Sequence, residues 1–273
     1  MTYIILLLIL AGCLNGILAG LLGIGGGIFI VPFLAFIFHH LPETESAYMQ
    51  FAAGTSLGIM IFTTLSSMPQ KIRAHEINLN VTKKILPWMI SMNIVGTIIA
   101  NFLNPQLLNF LFTLLMISIF FHMLLKCKKV NGKHKSSGKR RSAFWGSIIG
   151  IKSGFFGTGG GIISIPYVNS LGYSIHIAIG TSTLLTLIIA ITGSITFIIT
   201  GYMNSIQLDW SLGYLYLPAI LCVMPTSMVF SKFGAKISSK TPEKLLKKIF
   251  LVLLLIISGE MLFLTIQPCW YYI

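Results

Sequence analysis

One glycine-dense, hydrophobic string occurs twice in this chain, as Gly16-Ile-Leu-Ala-Gly-Leu-Leu-Gly-Ile-Gly-Gly-Gly-Ile-Phe-Ile-Val-Pro32 and as Gly150-Ile-Lys-Ser-Gly-Phe-Phe-Gly-Thr-Gly-Gly-Gly-Ile-Ile-Ser-Ile-Pro166. Glycine costs about 1 kcal/mol relative to alanine inside a helix, so three in succession favour an unwound turn. Such a turn frees backbone N–H groups, and at membrane depth these are tolerated only where they are buried in protein or line a cavity. A chain that repeats this device is expected to consist of two homologous halves, each with a broken first helix.

Composition decides that the setting is a membrane. Of 273 residues, 55% are hydrophobic and 9% charged, with a mean hydropathy of +0.88; a soluble domain carries about 25% charge. The chain offers about eight hydrophobic regions, near 3–38, 46–68, 83–101, 105–125, 143–169, 174–200, 211–231 and 245–266. The predicted class is therefore an all-α integral membrane protein. It is organised as an N-terminal repeat over 1–125, a basic linker over 126–141 and a C-terminal repeat over 142–273. Further matches support the halves: Ala53-Gly54-Thr55-Ser56 with Ile179-Gly180-Thr181-Ser182, Leu86-Pro87 with Leu217-Pro218, and Leu107-Leu108 with Leu245-Leu246.

The net charge of +13 is concentrated at segment ends. Eight of the nineteen lysines and arginines lie between Lys126 and Arg141, six between Lys232 and Lys248, and four between Lys71 and Lys84. That pattern fits a cytoplasmic membrane surface and not nucleic acid. If all eight regions cross, these clusters divide between two sides. If both glycine runs are re-entrant, all three fall on one side and the halves are inverted. Charge favours the second arrangement; hydropathy alone favours the first.

Several chemistries are excluded. Cys13, Cys127, Cys222 and Cys269 show no paired spacing, so neither a metal site nor a disulfide framework is expected. The glycine runs lack the third glycine of a dinucleotide fingerprint and any following Gly-Lys-Ser/Thr, so no nucleotide is expected, and no cofactor. Leu10-Ala11-Gly12-Cys13 imitates a lipoprotein cleavage box but lacks a basic n-region before it. Six acidic residues with no catalytic clustering argue against an enzyme.

The candidate substrate site is the pair of runs, Gly23, Gly25, Gly26 and Gly27 with Gly157, Gly159, Gly160 and Gly161, where unwound backbone can cradle an anion. Thr55, Ser56, Thr181 and Ser182 would add hydroxyls, or bond back to their own helix carbonyls. Lys152 replaces Leu18 of the first copy and is a cation within the second glycine motif, either contacting an anion or pairing with Glu260. Glu260, His176 and His122 are candidate proton or charge relays. The partners expected are lipid, a small anion and a coupling ion or proton.

The doubled G-x-x-x-G-x-x-G-x-G-G-G-x-x-x-x-P string, followed in each half by Gly-Thr-Ser, resembles the sulfite exporter TauE/SafE family over nearly the whole chain. The resemblance implies a multi-pass carrier of the bacterial inner membrane for sulfite, thiosulfate or related organosulfur anions, with the linker cytoplasmic. A non-transporting membrane partner or a membrane enzyme is the alternative.

Overall fold

The computed structural model describes residues 2–125, 138–204 and 208–270, with side chains at 6–121, 138–204 and 208–259 apart from 243, 247 and 250. Its helices are α1 (Thr2–Leu22), α2 (Gly27–His39), α3 (Tyr48–Arg73), α4 (Leu79–Phe102), α5 (Pro105–Leu125), α6 (Lys139–Phe156), α7 (Gly161–Ser170), α8 (Ile175–Met203), α9 (Leu217–Ser238) and α10 (Glu243–Trp270). Local chemistry sets several starts. Asn78 caps α4 by accepting from the Val81 N–H at 3.1 Å, Ser174 caps α8 through Ile177, and Pro105 and Pro218 occupy first turns where no donor is lost.

Among the described residues, four helices are long and apolar enough to cross a membrane: Glu45–Arg73 (α3 with the 3-10 turn before it), Leu79–Phe102, Ile175–Met203 and Leu217–Ser238. Shorter apolar stretches cover Leu6–Leu22, Gly27–His39 and Pro105–Phe121. Ile94, Val95, Ile98 and Ile99 on α4, and Leu221, Val229 and Phe233 on α9, are exposed, as suits a lipid-facing surface. This is an α-helical, multi-pass membrane architecture.

The helix starts correct three expectations. Lys139, Arg140 and Arg141, assigned to the linker, form the first turn of α6 after the extended Gly138. The seventh hydrophobic region does not open as helix: Ser211–Leu212 and Leu215–Tyr216 pair as a two-stranded antiparallel hairpin, turned at Gly213 with φ 58°. An otherwise all-α chain thus has one small strand pair. Leu86-Pro87 also has a different counterpart from Leu217-Pro218. Gly146 on α6 faces Ile85 and Trp88, whereas Gly12 on α1 faces Val223 and Thr226, so the residue placed like Pro87 is Pro225.

Helix direction follows from these contacts. Gly12, Gly16 and Gly20 of α1 lie in turn against Val223, Ser227 and Ser231 of α9, so the two helices run parallel at close approach. Gly146, Gly150 and Gly154 of α6 do the same against Ile85, Met89 and Asn93 of α4. α2 turns back from α1: its Phe38 meets Phe51 at the start of α3 and Tyr216 at the start of α9. α7 turns back from α6, bringing Ser170 to Arg141 at 3.1 Å and Tyr167 to Trp145. At 13 and 10 residues, α2 and α7 are about 20 Å and 15 Å long, too short to cross a core of ~30 Å.

Both glycine runs are therefore tips of helical hairpins that enter from opposite ends of the molecule. Every lysine and arginine with a described side chain, Lys152 excepted, lies at the end marked by the C-termini of α3 and α9 and the N-termini of α4, α6 and α10, hereafter the basic face. Glu43, Glu45 and Asp209 lie at the opposite face.

Candidate functional site

The two hairpin tips cross in direct contact. A methyl group on Gly27 would strike the backbone of Thr158, and one on Gly161 would strike Ile24. Gly23, Gly25, Gly26, Gly157 and Gly159 take φ between 61° and 84°, which lets the chain reverse within four residues. Gly160 differs: its φ is −79°, and a methyl there meets its nearest atom at 3.4 Å. The copies are therefore unequal at a position where their sequences agree.

The Gly-Thr-Ser triplets hold the crossing from both sides. Ser56 donates to the Gly157 carbonyl at 2.6 Å, and Ser182 donates to the Gly23 carbonyl at 3.0 Å. Thr55 accepts the Tyr216 N–H at 3.0 Å, and Thr181 accepts the Asn78 N–H at 2.9 Å, so each threonine satisfies the residue that opens a third long helix. Gly54 and Gly180 let the Tyr214 and Glu76 backbones close in. Each bond joins one half of the chain to the other. Of the two roles weighed from sequence, back-bonding appears only as the secondary Ser56 to Ala53 contact at 3.0 Å, and the hydroxyls serve as ties between halves in this conformation.

Lys152 is buried at 4% exposure, and its Nζ donates to the Gly159 carbonyl at 2.8 Å, inside its own glycine turn. Among the described residues it has no carboxylate within ion-pair distance; the side chains of Glu260 and His122 lie outside them, as does the linker from 126 to 137. Around the same turn stand three buried hydroxyls without a hydrogen-bond partner, those of Ser153, Thr158 and Thr186. Thr186 sits where Gly25 and Gly159 come together, beside the Met60 sulfur. Sequence reasoning missed these three. Thr158 was visible as the polar residue where the first copy has Ile24, whereas Thr186 carries no local signal.

The helix-pair architecture, the crossed glycine tips and their serine ties span most of the chain, and so does the comparison with known proteins. Sulfite exporter TauE/SafE matches residues 8–261. The chain belongs to this family. A probable membrane transporter protein of Haemophilus influenzae is 35% identical over 94% of this chain and 97% of its own length. Others from Methanocaldococcus jannaschii, at 29% over 88% and 89%, and Bacillus subtilis, at 27% over 94% and 97%, carry the same description. No solved structure matches.

Two further features of this TauE/SafE chain were not legible as sites. An open cleft of about 710 Å³ lies on the opposite face, lined by Glu45, Gln50, Asn101, Asn104, Asn204 and Tyr214 among others. It does not reach the glycine crossing, whose residues are buried. On the basic face, Lys71 pairs with Glu76 at 2.9 Å, and His176 stands 4.0 Å from the other Glu76 oxygen. Of the three candidate relays, His176 alone has a described side chain, and its neighbour is Glu76, an acid that reads from sequence as ordinary loop charge.

Proposed function

We propose that this protein is a secondary transporter for a small anion, a sulfur oxyanion or organosulfonate such as sulfite, working by alternating access around the crossed glycine tips. The observation that carries this reading is Lys152: a buried cation with no described carboxylate partner, held to a glycine turn beside three unpartnered hydroxyls. A buried ammonium without a countercharge is costly, and an anion bound at the turn would supply it. Spare Lys152 N–H groups with the Ser153, Thr158 and Thr186 hydroxyls make a donor set suited to an oxyanion.

The halves, on this reading, are inverted repeats. The packing α1 on α9 has its counterpart in α6 on α4, and α2 on α3 in α7 on α8, while α3 meets α8 and α5 meets α10. The basic face is then cytoplasmic, and the 710 Å³ cleft is the entrance from the other side. Names of the family and of its probable transporter relatives support carriage over catalysis.

Purified protein in liposomes tests the proposal with radiolabelled sulfite, thiosulfate, methanesulfonate and acetate. Saturable flux of a sulfur anion without chemical change is the expected result; no flux of any of them, or chemical turnover, overturns it. Lys152→Gln should raise the apparent KM about tenfold, near 1.4 kcal/mol, while leaving or raising the melting temperature. A large loss of stability without a KM effect would make Lys152 scaffold.

A further inference from the structure

We propose that Glu76 is the proton-binding site that couples transport to the pH gradient, with Lys71 as its switched partner and His176 as its link to solvent. The inference rests on the carrier reading above and extends it to the coupling ion. Glu76 is the one acid buried among the described residues. It follows the end of α3, yet it is enclosed by both halves. Its backbone presses on Gly180 of α8, its carboxylate holds the fully buried Lys71 at 2.9 Å, and Lys71 also donates to Ser238 of α9 at 3.0 Å. Ser238 in turn donates to the Leu21 carbonyl at 2.8 Å, two residues before the first positive-φ glycine. A single ion pair thus joins the ends of α1, α3 and α9 and closes the basic face next to a glycine tip.

The charged and titratable groups around Glu76 are few. Lys71 comes from α3 and His176 from α8; α9 contributes the Ser238 hydroxyl and α1 only a carbonyl. Arg73 and His75 on the adjoining turn, Lys83 and Lys84 of α4, and Lys236 and Lys240 of α9 point to the surface. The His176 side chain is 31% exposed, so it exchanges protons with water on the basic face, and its Nδ1 lies 4.0 Å from Glu76 Oε1. A small rotation of the ring brings the two within hydrogen-bond range.

The step balances. The imidazolium of His176 gives its proton to the Glu76 carboxylate, and the neutral imidazole takes another from hydronium, which becomes water, so one proton is taken up in all. Neutral Glu76 no longer compensates the Lys71 ammonium, which is left buried with a serine hydroxyl. A buried ion stripped of its countercharge is strongly disfavoured, so Lys71 leaves its site and hydrates, separating the ends of α1, α3 and α9. The freed cation stands at the mouth of the opened face and attracts an anion. Proton and anion are then taken up together from that face. The matching place in the other half holds Tyr214, hydrogen-bonded by Asn204 at 2.6 Å, so this coupling belongs to one face only.

A cysteine at Leu21, in a chain whose Cys13, Cys127, Cys222 and Cys269 are replaced by serine, reads the opening directly. The protein is placed in lipid nanodiscs and exposed to a membrane-impermeant maleimide at about pH 5 and about pH 8, either side of the ordinary histidine range. Because the maleimide reacts with the thiolate, each rate is divided by that of the same thiol in denatured protein at the same pH, and this ratio should be several-fold higher at the lower pH. With Glu76→Gln added, the ratio should be high and the same at both pH values. His176→Phe, which keeps the ion pair, should delay the response after a pH jump without changing its end point. A ratio that ignores pH in the parent, or that keeps its pH dependence in Glu76→Gln, overturns the proposal. If Glu76→Gln does not fold, an unchanged response time in His176→Phe still does so. The readout needs no substrate, so failure here leaves the carrier reading intact, whereas pH-gated labelling without flux of any anion removes the carrier reading alone.

Discussion

Gly26 and Gly160 each stand in the middle of a Gly-Gly-Gly-Ile run, yet they make different demands on the backbone. Gly26 opens α2 with φ 84°, and a methyl group there would collide with the Asn15 side chain. Gly160 has helical φ and open van der Waals room. Gly26→Ala should therefore cost about 1–2 kcal/mol from the left-handed backbone alone. Gly160→Ala should be neutral or stabilise by up to about 1 kcal/mol, because it restricts the unfolded chain without strain. Thermal melts of the detergent-solubilised variants measure both; equal losses would show that the two turns are equivalent after all.

The division of labour among glycines becomes clear at the level of helices and turns. Gly12, Gly16 and Gly20, with Gly146, Gly150 and Gly154, let parallel helices approach, while the runs that follow them turn the chain. One serine then pins each turn to the opposite half. Ser56→Ala leaves the buried Gly157 carbonyl without its donor, and Ser182→Ala does the same to Gly23 and also strands Ser164, which donates to Ser182 at 2.8 Å. Each should lower stability by about 1–2 kcal/mol, the second by more than the first, with threonine at either site retaining part of the loss. Unchanged melting temperatures in both alanine variants would mean that the ties are incidental to the crossing.

For the molecule as a whole, the first hairpin leaves an odd number of net crossings before the linker: α1 goes in and α2 returns toward the same side, and α3, α4 and α5 cross. The N-terminus and residues 126–137 then lie on opposite sides, as do the linker and the end of α10. Reporter tags at the N-terminus, within the linker near Asn131, and after Ile273 should show the linker inside and both ends outside. A linker and N-terminus on the same side would require one glycine hairpin to open into a full crossing. Opening of the second hairpin instead would put the linker and the end of α10 on the same side and separate the basic residues of α9 and α10 from those of α3 and α4, against the single basic face.

Membrane class and the sites of the two breaks were legible in the sequence, because hydrophobic length and glycine's weakness in helices act over a few residues. The family pattern was legible for the same reason, since Gly-Thr-Ser and the glycine string are local. What those residues touch was not. Ser56 finds Gly157, Thr181 finds Asn78 and Lys71 finds Ser238 across separations of 101, 103 and 167 residues. Lys152 bonds a carbonyl seven residues on, because the glycine turn folds that carbonyl back onto it. Glu76, set in a stretch that reads as solvated loop, is buried because α8 and α9 arrive from the other half. Local composition determines where a membrane chain must cross or break; only the packing of distant helices decides which polar groups meet inside it.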